Sequence, residues 1–141
     1  MKILIDTNVI LDIALERNPF VEHAALLFKI ANKKRIHIFM TATTVTDLYY
    51  IIRKEKGKDI ALSFIEDLIQ FVDVASVDKN VVINALRSEI SDFEDAIQSF
   101  SAKQEGITII ITRNEKDFIN SGLEILTPET FLDTLNDGCK R

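Results

Sequence analysis

The sequence has one cysteine, Cys139, two prolines, four glycines and no tryptophan among 141 residues. A lone cysteine excludes a disulfide framework and a cysteine-built metal site. So few glycines and prolines leave little material for long loops or linkers. Neither an internal repeat nor a low-complexity segment is present. No stretch approaches the roughly 18 consecutive apolar residues of a membrane span. The apolar run at the N-terminus is interrupted by Asp6 and again by Asp12, too early for a secretory signal, so the expected location is cytoplasmic. An excess of positive charge is also lacking: 17 lysines and arginines face 22 acids, a net charge of −5. That excludes a protein that coats nucleic acid through charge alone, though not an enzyme whose acids are gathered at a metal site. The two histidines, His23 and His37, fall in no His-x-x-x-His pattern and read as ordinary residues, and no Gly-x-Ser-x-Gly turn occurs. Nucleophilic catalysis is left without candidates.

What is present is an ordinary globular composition, 47% hydrophobic and 28% charged, long enough for one domain over 1–141 with a sizeable core. Strand-like and helix-like segments alternate. Strands are expected at 2–6, 36–40, 72–76, 107–111 and 123–126. Helices are expected at 8–16, 20–32, 44–56, 59–71, 79–88 and 92–105, with a short turn at 114–120 and a last helix from Pro128 to about Leu135. Such alternation implies parallel strands joined by helical crossovers. The runs KILI and ITIII, apolar without alternation, suit strands covered on both faces. The expected architecture is a three-layer α/β/α sandwich around a parallel sheet of about five strands. Sites in such sheets form beyond the carboxyl ends of the strands. Asp6 and Thr112-Arg113-Asn114 both lie at such ends.

Four stretches carrying acids stand out, each with a competing structural role. Asp6 follows the first strand and either caps the next helix or holds a metal ion. Asp47 falls in the first turn of a helix capped by Thr43 or Thr44, where the helix dipole would stabilise it by roughly 0.3–1 kcal/mol. In SDFEDAIQ, Ser91 and Glu94 have capping-box spacing, which gives Glu94 a structural task. Asp92 and Asp95, three apart, share one helical face. In TRNEKDF, Asn114 and Asp117 are again three apart, with Asn114 placed to cap the turn and Phe118 to anchor it. All these acids fall at strand ends or helix starts, and an all-oxygen set of this kind suits Mg²⁺ or Mn²⁺. The basic groups, Lys33 to Arg35, Arg53 to Lys58, and Arg113 with Lys116, read first as solvated ends and loops. Arg113 and Lys116 also lie close enough to Asp117 in sequence to hold a phosphate.

ILIDTNVILD, SDFEDAIQSFSA and IIITRNEKDF together resemble the PIN-domain ribonuclease family, and within it the VapC-type toxins, over nearly the whole chain from Met1 to about Pro128. The resemblance implies a Mg²⁺- or Mn²⁺-dependent endoribonuclease on a parallel-sheet fold. It further implies a homodimer, and an antitoxin partner if the chain is a toxin. Carried over by residue, Asp6, Asp95 and Asp117 become metal ligands, with Asp92 as a further donor, and Asp47 completes the catalytic acids. Asn8 would orient Asp6, and Thr112 would fix a metal-held water. Two departures bear on the number of ions. Asp47 stands where the family usually has glutamate, one methylene longer. Asn114 stands where aspartate is common, so Asp117 or Asp92 would have to supply the charge.

Two other readings compete. A PIN fold with a weakened acid set would bind RNA or a protein without cutting. A strand followed by D-T-N-V also approaches the D-x-D-x-[TV] of haloacid-dehalogenase-type phosphatases, but Asn8 occupies the place of the second aspartate and no cap domain is evident.

Overall fold

The computed structural model describes residues 1–139 of the chain, with side chains to Asn136, so Cys139 lies outside the described side chains. Its elements run β1 (Lys2–Ile5), α1 (Thr7–Ala14), α2 (Val21–Lys33), β2 (His37–Thr41), α3 (Ala42–Lys56), α4 (Lys58–Leu68), β3 (Val72–Ala75), α5 (Lys79–Leu86), α6 (Phe93–Gln104), β4 (Ile109–Ile111), a 3₁₀ turn (Glu115–Phe118), β5 (Glu124–Leu126) and α7 (Pro128–Cys139). The five strands form one parallel sheet in the order β3-β2-β1-β4-β5. This is the expected α/β/α sandwich.

Strand periodicity sorts the core. Ile3 and Ile5 on β1, Ile38 and Met40 on β2, and Ile109 and Ile111 on β4 point into the layer containing α1, α2, α3, α4 and α7. The intervening Leu4, Phe39 and Ile110 point to the opposite face, where Ala102 of α6 and Phe118 of the 3₁₀ turn meet them. Both faces of the central strands are therefore covered, which is why they lack polar alternation. Burying each such Ile or Leu contributes roughly 1.5–3 kcal/mol. Behind α6, Val81 and Ala85 of α5 pack on Ala96 and Ile97.

Three boundaries differ from expectation in ways that move candidate residues. β2 runs on to Thr41, and Thr41, not Thr43 or Thr44, caps α3 by accepting from the Thr44 amide at 3.3 Å. Asp47 consequently sits in the second turn, and the first turn of α3 holds no acid, so the dipole explanation for Asp47 weakens. Helix α6 begins at Phe93, with Asp92 as its cap accepting from the Asp95 amide at 3.0 Å. This replaces the Ser91–Glu94 box and releases Glu94 from capping. β4 is shorter than 107–111 because Ile107 donates back to Ala102 to close α6, with Gly106 at φ +78 making the reversal.

Candidate active site

The chain leaves β1 for β2 and β3 on one side, then crosses to β4 and β5 on the other. The reversal point lies between β1 and β4, where ligands bind in open α/β sheets. Their ladder pairs Ile5 with Ile111, and the Asp6 amide donates to the Ile111 carbonyl at 2.9 Å. Asp6 and Thr112 therefore emerge side by side. The Thr112 hydroxyl donates to Asp6 Oδ2 at 2.8 Å, and Gln98 Nε2 of α6 donates to Asp6 Oδ1 at 2.9 Å. Asp6 is only 7% exposed, so these neutral donors replace part of the water it loses. Thr112 is thus tied to Asp6 itself and accepts from the Asn114 amide at 3.1 Å. Among the described residues the donors to Asp6 are Gln98 and Thr112, not Asn8.

Beyond Asp6 lies a cleft of about 340 Å³. Its acids are Asp6, Asp47, Asp92, Glu94, Asp95 and Asp117, joined by Asn8 and Gln98, and none of its lining residues is basic. Four parts of the chain supply the acids: the end of β1, the second turn of α3, the start of α6 and the 3₁₀ turn. The hydroxyls of Thr7 and Thr44 meet at 2.9 Å and tie the start of α1 to α3 below Asp47.

The electrostatics are those of like charges confined together. Burial, then the charges of Asp6, Asp92 and Asp117, push Asp95 up to about 7. Glu94 is pushed up to about 8, first by its hydrogen bond with Asp47, then by burial and by the charges of Asp47, Asp6 and Asp92. At neutral pH the cleft retains protons that free carboxyls would have lost. Among the described residues no three acidic or imidazole side chains are already closed to one coordination shell. The donors are all oxygen, open in spacing and free of any protein cation, which fits a hard divalent ion with much of its water retained.

Asp6, Asp47, Asp92, Asp95, Asp117 and Asn8 thus come together. Asn114 does not: it lines a neighbouring hollow with Arg113, Glu115, Lys116 and Asp117. Asp117 is the side chain that reaches the cleft from this segment. As a cap, Asn114 makes no side-chain bond to the turn. Arg113 is engaged elsewhere. Its Nε stands 2.8 Å from Asp12 Oδ2, and its guanidinium lies 4.1 Å from the centre of the Phe20 ring. Its charge is matched by Asp12, not offered to a phosphate at the cleft. Lys116 is exposed at the rim.

Sequence reasoning missed Glu94 and Gln98. A signal existed for both: Gln98 lies three residues after Asp95 and four after Glu94, on one helical face, in a stretch otherwise small or apolar.

A PIN domain family model matches residues 2–116. Ribonuclease VapC1 of Aquifex aeolicus (strain VF5) is 29% identical over 140 residues, 96% of each chain. Among solved structures, the fold resembles DNA-bound VapBC from Salmonella typhimurium (TM-score 0.70, 19% identity, 91% of this chain and 98% of that one). It also resembles the sarcin-ricin-loop-cleaving toxin VapC20 of Mycobacterium tuberculosis (TM-score 0.63, 15% identity, 77% and 86%). The family match, the sheet order and the acids at the β1–β4 reversal agree, and they remove the dehalogenase reading: this chain belongs to the PIN domain family.

Proposed function

We propose that the protein is a Mg²⁺- or Mn²⁺-dependent endoribonuclease and the toxin of a toxin–antitoxin pair. The observation that carries this reading is the cleft at the sheet reversal, lined by six acids and no base. Such a cleft repels an RNA backbone unless a cation intervenes. RNA as substrate is supported by the relative named Ribonuclease VapC1.

Asp6, Asp95 and Asp117 would hold the ion, with Asp92 offering the oxygen not used for capping. When bound, the ion supplies positive charge to the scissile phosphate and acidifies water. The chain's own part is positional. Gln98 and Thr112 fix Asp6 with its remaining lone pairs free. Glu94, pushed up to about 8 chiefly by Asp47 beside it, is able to take up or release a proton near neutrality. Glu94 also answers the departure at Asp47, since its longer side chain brings a second carboxyl to the same place. Asp117 answers the one at Asn114. The non-cutting reading rested on those two departures, and the carboxyls of Glu94 and Asp117 in the cleft support cutting instead. Lys116 is left to hold an adjoining phosphate.

The partner reading is supported by the VapBC complexes among the structural neighbours and by exposed apolar side chains. Tyr50, 64% exposed, stands outward on α3 while Ile52 is fully buried, which leaves an aromatic side chain for a homodimer contact. Phe28, Phe64, Leu68 and Phe71 line a furrow between α2 and α4 that could take an antitoxin segment. Among the described residues no helix is long and apolar enough to cross a membrane.

The test is cleavage of a labelled RNA by purified protein with added Mn²⁺ or with chelator. Cleavage that needs the metal and disappears in Asp6→Asn is expected. Cleavage that persists in Asp6→Asn or in chelator would overturn the assignment.

A further inference from the structure

Gln98 occupies a position where a nonpolar residue would be the cheaper choice. It is 1% exposed on α6, between Ile97 and Ser99 and one turn from Ala102, all of them buried. Its amide makes one bond, to Asp6, and its Oε1 is buried without a partner. An unsatisfied buried acceptor is destabilising, so the free oxygen is a liability to the fold taken alone. Its one contact joins two acid-bearing segments. Asp95, three residues earlier on the same helical face, and Asp6, at the end of β1, otherwise meet only across the cleft.

We propose that Gln98 is a positioning residue. Its Nε2 fixes the Asp6 carboxylate in one rotamer and sets the distance between Asp6 on β1 and Asp95 on α6, thereby shaping the cleft for a divalent cation. This rests on the reading of the cleft as the metal site of a ribonuclease. The geometry is that of an outer residue holding a ligand. Thr112 holds Oδ2 from the sheet side and Gln98 holds Oδ1 from the helix side, so Asp6 turns neither toward Thr112 alone nor out to solvent. Residues that orient metal ligands in this way typically alter metal affinity or activity by about 10–100-fold when removed.

The experiment uses the full chain, metal-free, with Gln98→Met as the main variant and Gln98→Asn as the second. Met fills nearly the same space without the orphan oxygen. Asn keeps the amide one methylene short of Asp6. Thermal melting in chelator is expected to keep Gln98→Met close to the parent, the donor lost by Asp6 offsetting removal of the orphan oxygen. Titration with Mn²⁺ alone, followed by calorimetry, is expected to show roughly tenfold or greater weakening in both variants. RNA cleavage should lose kcat, with KM little changed. If the parent binds Mn²⁺ and cleaves while both variants bind Mn²⁺ with parental affinity, the positioning role is wrong and the nuclease reading stands. If the parent itself neither binds Mn²⁺ nor cleaves, the nuclease reading fails first. If Gln98→Met melts far below the parent, Gln98 is instead a structural core residue, and parental Mn²⁺ affinity in Gln98→Asn would complete that contradiction.

Discussion

Asp6 and Asp12 open and close the same short segment, and both are nearly inaccessible, at 7% and 1% exposure. Their surroundings differ in kind. Asp12 is answered by cations: Arg113 at 2.8 Å and Arg17 at 3.7 Å. Asp6 is answered by the neutral donors Gln98 and Thr112 and faces other acids across the cleft. A buried acid neutralised by the chain's own arginines is complete and belongs to the architecture. A buried acid supplied with hydrogen bonds but no counter-charge, among like charges, is left open to the cation we propose there.

The largest expected effect breaks the comparison at Asp6. Asp6→Asn and Asp95→Asn should each lower RNA cleavage by about a thousandfold, roughly 4 kcal/mol of barrier. Each should leave metal-free melting unchanged or raised, because repulsion in the cleft is relieved. Asp12→Asn should do the reverse in kind. Breaking a buried pair by removing one partner costs up to about 3–5 kcal/mol. With Arg17 and Arg113 partly exposed, roughly 2–4 kcal/mol is expected in chemical denaturation. The burial of Asp12 outweighs both arginines and raises its pKa. The pair therefore serves less as net stabilisation than as a tether for the chain between Thr112 and Asp117.

Next is pH. Asp95 rises from 3.8 to about 7 and Glu94 from 4.5 to about 8. Both bind protons more tightly folded than unfolded. Stability is therefore present in full below the unfolded values and is lost as pH rises through the folded ones. The metal-free protein should melt higher at about pH 5 than at about pH 8. Asp95→Asn should flatten that slope, and added Mn²⁺ should do so too. A slope unchanged by Asp95→Asn would remove Asp95 from the group of coupled acids.

The smallest effect separates the two basic residues of the 112–118 segment. Lys116→Ala should raise KM for RNA by no more than about fivefold, the scale of an exposed charge, and leave melting unchanged. Arg113→Ala should lower melting through Asp12, with any loss of cleavage following the loss of fold. If Arg113→Ala raised KM at full stability, the guanidinium would be reaching RNA after all.

The sheet was legible because its signal is local: Ile3 to Ile5 and Ile109 to Ile111 are apolar at every position and buried, as strands covered on both faces must be. Asp6, Asp47, Asp95 and Asp117 were legible because strand ends and helix starts on one edge of a parallel sheet converge. Part of what escaped depended on one to three residues of register. Once Asp92 rather than Ser91 caps α6, Glu94 turns from a capping residue into a cleft acid. Once Thr41 caps α3, Asp47 leaves the first turn. Gln98 and the Asp12–Arg113 pair join residues about a hundred positions apart, and a glutamine or arginine read along the chain carries no sign of which distant acid it meets.

The central claim, that the cleft is built for a cation the protein does not itself supply, is tested most directly by melting at about pH 8 in chelator and in excess Mn²⁺, for the parent, Asp95→Asn and Asp12→Asn. A ligand of the folded state at a hundred times its dissociation constant adds about 2.7 kcal/mol of stability. The account predicts a clear rise in melting temperature for the parent and for Asp12→Asn, and little or none for Asp95→Asn. A parent indifferent to Mn²⁺, or an Asp95→Asn protein that rises as far as the parent, would contradict it.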